Sequence, residues 1–287
     1  MKAILRKELK AYLASMTGYV FIAFILLLTG IYFTAYNLQA GYPIFGYTLS
    51  SITFVFLIVT PVLTMRVLAE ERKQKTDQLL LTSPVQVGDI VIGKYLALVG
   101  IYLIPIVILC FYPLIMSMYG TVSMPMAYTA LLGFFLLGCA NISIGMFLSS
   151  VTESQIIAAV LTFVVIFIGQ IMSGIEGFFS ETAATSFMAF TVLLIAACVI
   201  IYAVLKNGLL ACTIGILGEA VLLILYNLDQ ALFEGAIQKF MEIFNIQSHF
   251  SNFVNGMLDV TGIIYYLSVT AVFIFLTVQS IQKRRWS

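Results

Sequence analysis

Long apolar runs separated by short polar stretches set the pattern of this chain. Residues 11–65, 95–152 and 182–205 carry no acidic or basic side chain, and each run is long enough for at least one membrane crossing of about 20 residues. The pattern predicts crossings at 17–36, 48–65, 95–116, 126–148, 156–173, 184–205, 208–228 and 260–281. The expected fold class is therefore an all-α polytopic membrane protein with about eight transmembrane helices.

Two stretches are amphipathic instead. In residues 1–16, Leu5, Leu9, Tyr12 and Met16 share one helical face and Lys2, Arg6 and Lys10 another, the pattern of a helix lying in the plane of the inner membrane surface. In residues 229–258, an external segment before the last span, Phe233, Ile237, Phe240 and Phe244 line one side. Glu234, Gln238, Glu242 and Asn245 line the other, which predicts a helix on the outer leaflet or capping the bundle. Within the spans, Pro61 and Pro105 should kink or open their helices, while Gly138, Gly145 and Ser149 allow close helix approach.

Composition excludes a soluble globule. At 62% hydrophobic and 9% charged, the chain has too little polar surface for one. Charge placement orients it: with the N-terminus inside, 13 of the 14 basic residues fall on the cytoplasmic side and only Lys239 lies outside, as the positive-inside rule requires. Both termini are then cytoplasmic in a multi-pass protein of the cell membrane. The pair of spans flanking Lys206 could instead be a re-entrant hairpin, but that would place Lys206 in the apolar layer at a cost of about 2.5 to 3.5 kcal/mol or more.

The densest charge lies in one internal loop, residues 66–94, with nine of the 27 ionisable acids and bases. Opposite charges fall four apart at Arg66 and Glu70, Glu71 and Lys75, and Lys73 and Asp77. That spacing favours a polar helix from Arg66 to about Leu81. Ser83 and Pro84 should break it and start the helix of the third span. Apolar Leu79, Leu80, Leu81, Val85 and Val87 follow the charges, so the loop has a polar face and a sticky end, as a docking segment would. Gly88, Gly93 and Lys94 match the start of a phosphate-binding loop, but Tyr95 stands where a magnesium-binding hydroxyl belongs. The match is read as coincidence.

Little else carries chemistry. Cys110, Cys139, Cys198 and Cys212 sit in apolar segments without paired spacing, so neither a disulfide framework nor a metal site is indicated. Glu219 lies near the middle of the seventh span, where a carboxylate is costly. It is either a protonated, hydrogen-bonded side chain or part of an intramembrane polar site together with Asn141 and Gln170, two amides that otherwise read as interhelical glue. His249 is the only histidine and has no convergent acid, base or nucleophile, so packing is its expected role. No catalytic residue, metal or cofactor is assigned to this chain, and no nucleic-acid partner.

The loop RVLAEERKQKTDQLLLTSPVQVGDIVIGKYLA resembles the signature loop of type-2 ABC transporter permeases, in particular the gliding-motility permease-like branch. The pattern is an arginine, A-E-E-R, a basic patch, a threonine, L-L-T-x-P and G-K before the third span. A second stretch is similar to that family's last external segment and final span, through His249, Phe250, Phe253, Gly256, Asp259, Tyr265, Tyr266, Arg284, Arg285 and Trp286. The likeness covers residues 1 to about 178 and 240–287 and leaves out a hairpin at 182–228, inserted into a six-span core.

The resemblance implies the membrane-spanning permease subunit of an ATP-driven exporter, one domain over 1–287. It would pair with a second permease copy or homologue and with cytoplasmic ABC ATPase subunits that hold the ATP and magnesium, and an extracytoplasmic accessory protein could join them. It also implies that Arg66, Glu70, Glu71, Arg72, Lys73, Thr76, Leu80 and Pro84 form the ATPase-coupling interface. A force-transmitting anchor without cargo is the alternative. A secondary transporter fits less well, because ionisable groups are expected in both halves of such a carrier, and the motifs of a membrane enzyme are missing.

Overall fold

A computed structural model describes residues 2–76 and 86–285. Among these residues helix makes up 82% and there is no strand, the solution that a bilayer imposes on a chain without a closed barrel. The helices are α1 (Lys2–Leu13), α2 (Met16–Tyr32), α3 (Phe45–Ser51), α4 (Phe56–Thr64), α5 (Ala69–Lys73), α6 (Val87–Leu109) and α7 (Tyr112–Ser117). There follow α8 (Met124–Val151), α9 (Gln155–Glu176), α10 (Ala183–Leu205), α11 (Gly208–Leu228), α12 (Ala236–Glu242), α13 (Ser248–Val254) and α14 (Val260–Arg285). Among the described residues seven helical stretches are long and apolar enough to span a membrane. Cys212–Leu228 with Gln230–Glu242, bent by 117°, makes an eighth if counted as one broken span. The protein is a polytopic, all-α membrane protein.

The chain divides into two compact units, Met1–Gln170 with Ile246–Ser287, and Ile171–Asn245. At the centre of the first runs α8, its apolar and small residues buried along most of its length. Neighbouring helices approach it closely because glycine leaves room. A Cβ on Gly138 would lie 2.4 Å from the Tyr102 ring of α6, and one on Gly145 would sit on the Thr64 hydroxyl of α4. The Tyr102 hydroxyl donates to the carbonyl of Phe134 at 2.7 Å, so this buried phenol is satisfied, and its ring packs among Phe21, Phe56, Phe134 and Phe135.

The second span is not one helix. A single 3₁₀ turn, Thr53–Val55, separates α3 from α4. The interruption lies ahead of Pro61, which is accommodated inside α4. Two side chains brace it: Gln170 Nε2 donates to the Thr53 carbonyl at 3.2 Å and Gln247 Nε2 to the Thr53 hydroxyl at 2.7 Å. Pro105 likewise stays within α6, which continues to Leu109. Neighbouring packing re-satisfies the backbone that proline frees in a membrane helix.

Also in the first unit, α13 and α14 join through a turn capped by Asp259. Its carboxylate accepts from Asn252 Nδ2 at 2.8 Å and from the Thr261 amide at 2.9 Å. The Asn252 bond, followed by the backbone bonds, holds its pKa below the ordinary carboxylate value.

In the second unit α10 and α11 form an antiparallel hairpin whose turn places Lys206 in the left-handed region, with φ 50°. Residues 229–245 do not form one continuous amphipathic helix. A 3₁₀ turn, Gln230–Phe233, is followed by Gly235 at φ 66° and only then by α12. The left-handed glycine reverses the chain, and its amide donates to the Glu181 carbonyl at 3.1 Å. Phe233 thereby packs against Phe187, Phe190 and Tyr226, and Phe240 against Phe190. Of the predicted apolar face, Phe233 and Ile237 are buried and Phe233 and Phe240 pack on α10, while Phe244 remains exposed.

Candidate functional site

Three segments far apart in sequence meet at one end of the first unit. Lys94, near the start of α6, is 2% exposed. Its ammonium donates to Glu8 Oε1 of α1 at 3.0 Å, to Glu71 Oε1 of α5 at 2.8 Å and to the Val67 carbonyl at 3.1 Å. All three ammonium protons are thus engaged. Unpaired, this cation would be very costly to bury, whereas two carboxylates more than neutralise it. An apparent phosphate-binding lysine is in fact the joint between α1, α5 and α6. Gly88, Gly93 and Lys94 all lie on the helix itself, not on a loop that could wrap a phosphate.

Beside the joint, α1 is seated by its apolar face. Leu9 packs over Gly100, where an added Cβ would lie 2.9 Å from Leu9 Cδ1. Tyr12 is buried and donates its hydroxyl to the Leu63 carbonyl at 3.0 Å. Burial first, and Glu8 next, push the Tyr12 phenol well above its ordinary pKa of 10.0. The chain then turns into α2 at Gly18, where any Cβ would collide with the Tyr12 carbonyl.

The other side of α5 hangs on α8. Ser149 Oγ accepts from the amides of Leu68 and Ala69 at 3.3 and 3.1 Å and donates to the Met65 carbonyl at 3.3 Å. Arg72 Nη1 donates to the carbonyls of Ser150 and Thr152 at 2.5 and 2.9 Å, placing a cation on the exposed carbonyl end of α8, where the helix dipole favours it. Ser280 and Arg284 of α14 reach the same end, the first to the Ser150 carbonyl and the second to Glu153, each at 3.3 Å. A cleft of about 360 Å³ opens between α1 and this segment, with Lys7, Tyr12, Arg66, Glu70, Gln74 and Thr76 among its walls.

Of the ion pairs the spacing suggests, Arg66 and Glu70 form theirs, at 2.7 Å. Glu71 does not pair with Lys75. The helix ends at Lys73, and Lys75 takes a left-handed conformation at φ 57°, so it leaves the face that Glu71 occupies. Glu71 turns inward to Lys94. The expected helix from Arg66 to about Leu81 is, within the described residues, the short α5 with a turn on either side. Asp77, Leu79, Leu80, Leu81, Ser83, Pro84 and Val85 lie outside the described residues. Lys73 and Thr76 are exposed, and Thr76 donates its hydroxyl to the Glu71 carbonyl at 3.3 Å.

Sequence reasoning passed over Glu8, Tyr12, Lys94 and Ser149 as parts of this site. One signal was available: Glu8 is the sole acid in residues 1–16, on a helix otherwise read by its bases.

Asn141 and Gln170 border the same small cavity of the first unit, together with Gln247. Glu219 belongs to the second unit and accepts from the Thr191 hydroxyl at 3.3 Å. His249 packs its ring against Tyr265, centroids 4.3 Å apart. Among the described residues no group of three or more His, Cys, Asp or Glu is placed to hold a metal ion.

Residues 36–226 match the family described as ABC-2 family transporter protein. The chain belongs to this family. The match takes in nearly all of the 182–228 hairpin, which the two resembling stretches leave out, and ends before the C-terminal stretch. No match is found among curated proteins. As an ABC-2 permease the chain is a multi-pass membrane subunit without an ATPase site of its own, and the family implies ABC ATPase subunits as partners.

Proposed function

We propose that this ABC-2 permease is the membrane subunit of an ATP-driven exporter, and that its ATPase partners seat on the surface formed by α1 and the segment from Arg66 to Thr76. The observation that carries the reading is the Lys94 joint. A load applied to α5 reaches the start of α6 through Glu71 and reaches α1 through the same ammonium and Glu8. Ser149 and Arg72 pass it to the end of α8. Closure of two ATPase subunits would then tilt several spans together, a rigid-body switch of the kind that converts small local shifts into domain motion.

In this reading both termini and the 66–94 loop face the cytoplasm, a second copy or homologue completes the transport unit, and ATP and magnesium stay with the ATPase. Glu70 and Lys73 offer charge to the ATPase on the outer side of α5, while Glu71 and Arg72 carry the load inward to Lys94 and to the end of α8. The test is co-purification with the ATPase encoded in an adjacent reading frame, followed by ATPase assays in lipid with and without this chain. Stimulation by the wild type and its loss on reversing Glu70 and Glu71 support the reading. Failure to associate overturns it.

A further inference from the structure

The α10–α11 hairpin holds a groove that the coupling surface does not use. It measures about 660 Å³, within the range of small-molecule sites. Leu194, Val199 and Ile216 form its apolar walls, Tyr202 lies toward the hairpin turn, and Thr191 and Glu219 close the far end. The helices approach closely there, since a Cβ on Gly218 would lie 2.5 Å from Leu194 Cδ1.

Glu219 lies eleven residues beyond Gly208, about 17 Å along α11 at 1.5 Å per residue, well inside an apolar hairpin. No Lys, Arg or His lines the groove. Among the described residues only Thr191 donates to the carboxyl, through one 3.3 Å bond to Oε1. Most of its acceptor positions are open.

An acid in that setting favours a ligand that brings its own cation and an apolar body. A neutral lipid tail fills such walls but leaves the carboxylate uncompensated, and an anionic headgroup is repelled by it. We propose that the α10–α11 groove binds a lipophilic ammonium compound, its chain along Leu194, Val199 and Ile216 and its N–H groups donating to Glu219. The site stands independently of ATPase coupling, because it is built wholly from the second unit.

The experiment uses the full-length protein in phosphatidylcholine nanodiscs and a long-chain alkylamine carrying a diazirine on its chain. After irradiation, labelled peptides are mapped by mass spectrometry. Labelling is expected on α10 and α11 at the groove and should be competed by dodecylamine, but not by dodecanol of equal chain length. Glu219→Gln, nearly isosteric, should weaken labelling there by about tenfold or more, as expected for loss of a charge-assisted hydrogen bond. Val199→Trp, which fills the groove and keeps the acid, should abolish it. Equal competition by the alcohol in the wild type overturns the proposal without recourse to any variant, showing a groove that holds any alkyl chain. So does unchanged labelling in either variant, or labelling scattered over the first unit.

Discussion

Glu71 and buried Lys94, 23 residues apart in the chain, meet at 2.8 Å in a contact that also takes in Glu8. Between them the polypeptide leaves the second span and re-enters the third. The pair fixes where one span ends and the next begins, and it selects Lys94 over Lys75 as the partner of Glu71. Removing the cation leaves two acids unpaired on the wall of the cleft between α1 and α5. Lys94→Met is therefore expected to destabilise the protein by about 1 to 3 kcal/mol, the acids keeping contact with water. Thermal unfolding in detergent checks this, and an unchanged midpoint would show the joint to be dispensable.

Ser149 holds the turn ahead of α5 through one oxygen that accepts twice and donates once. Ser149→Ala leaves two buried amides and a carbonyl without that partner, a loss of about 1 to 3 kcal/mol. Hydrogen exchange at Leu68 and Ala69 should rise in the variant while the Tyr102 cluster stays protected. Uniformly faster exchange would mean that the serine supports the whole bundle and not this turn.

Close approach of α6 to α8 depends on Gly138. Gly138→Ala puts a methyl group against the Tyr102 ring, 2.4 Å from its nearest atom, and overpacking of this kind costs about 1 to 3 kcal/mol. Tyr102→Phe does not relieve the clash, because the ring remains, and the double variant should be no more stable than Gly138→Ala. Recovery of the melting temperature in the double variant would refute this geometry.

Tyr12 makes stability depend on alkaline pH. Its folded pKa is raised, chiefly by burial, so the folded state favours the neutral phenol. That contribution is whole below the ordinary tyrosine value of 10.0 and is lost as pH rises above it. Between pH 8 and about 11 the wild type should lose more stability than Tyr12→Phe, which has no proton to release at this position. Parallel pH profiles for the two proteins would show that Tyr12 does not titrate with unfolding.

Charge reversal at Glu70 and Glu71 should separate two effects. Glu70→Lys breaks the partly exposed pair with Arg66, worth about 0.3 to 0.5 kcal/mol for an i,i+4 pair, and an exposed 3.4 Å bond from Gln74 Nε2, and should leave folding nearly intact while abolishing ATPase stimulation. Glu71→Lys sets a second cation beside buried Lys94 and should lower the melting temperature as well. Full stimulation by the Glu70→Lys protein would remove that residue from the proposed docking surface.

Hydropathy by itself determined the fold class and the approximate spans, with the densest charge left between two of them at 66–94, because a bilayer demands long uncharged helices and permits charge only between them. Small residues at Gly138, Gly145 and Ser149 were legible as contact points for the same reason. The family resemblance drew attention to A-E-E-R. What spacing could not decide was which charge meets which. Periodicity of four paired Glu71 with Lys75, but a left-handed residue ended the helix, and tertiary packing delivered Lys94 from the next span to a place where three acceptors repay its loss of water. Likewise, an amphipathic pattern over 229–245 left open both a membrane surface and a cap, and could not show that Gly235 would break the helix and bring Phe233 against α10. Local pattern specifies which surfaces must be covered; contacts between distant segments decide what covers them.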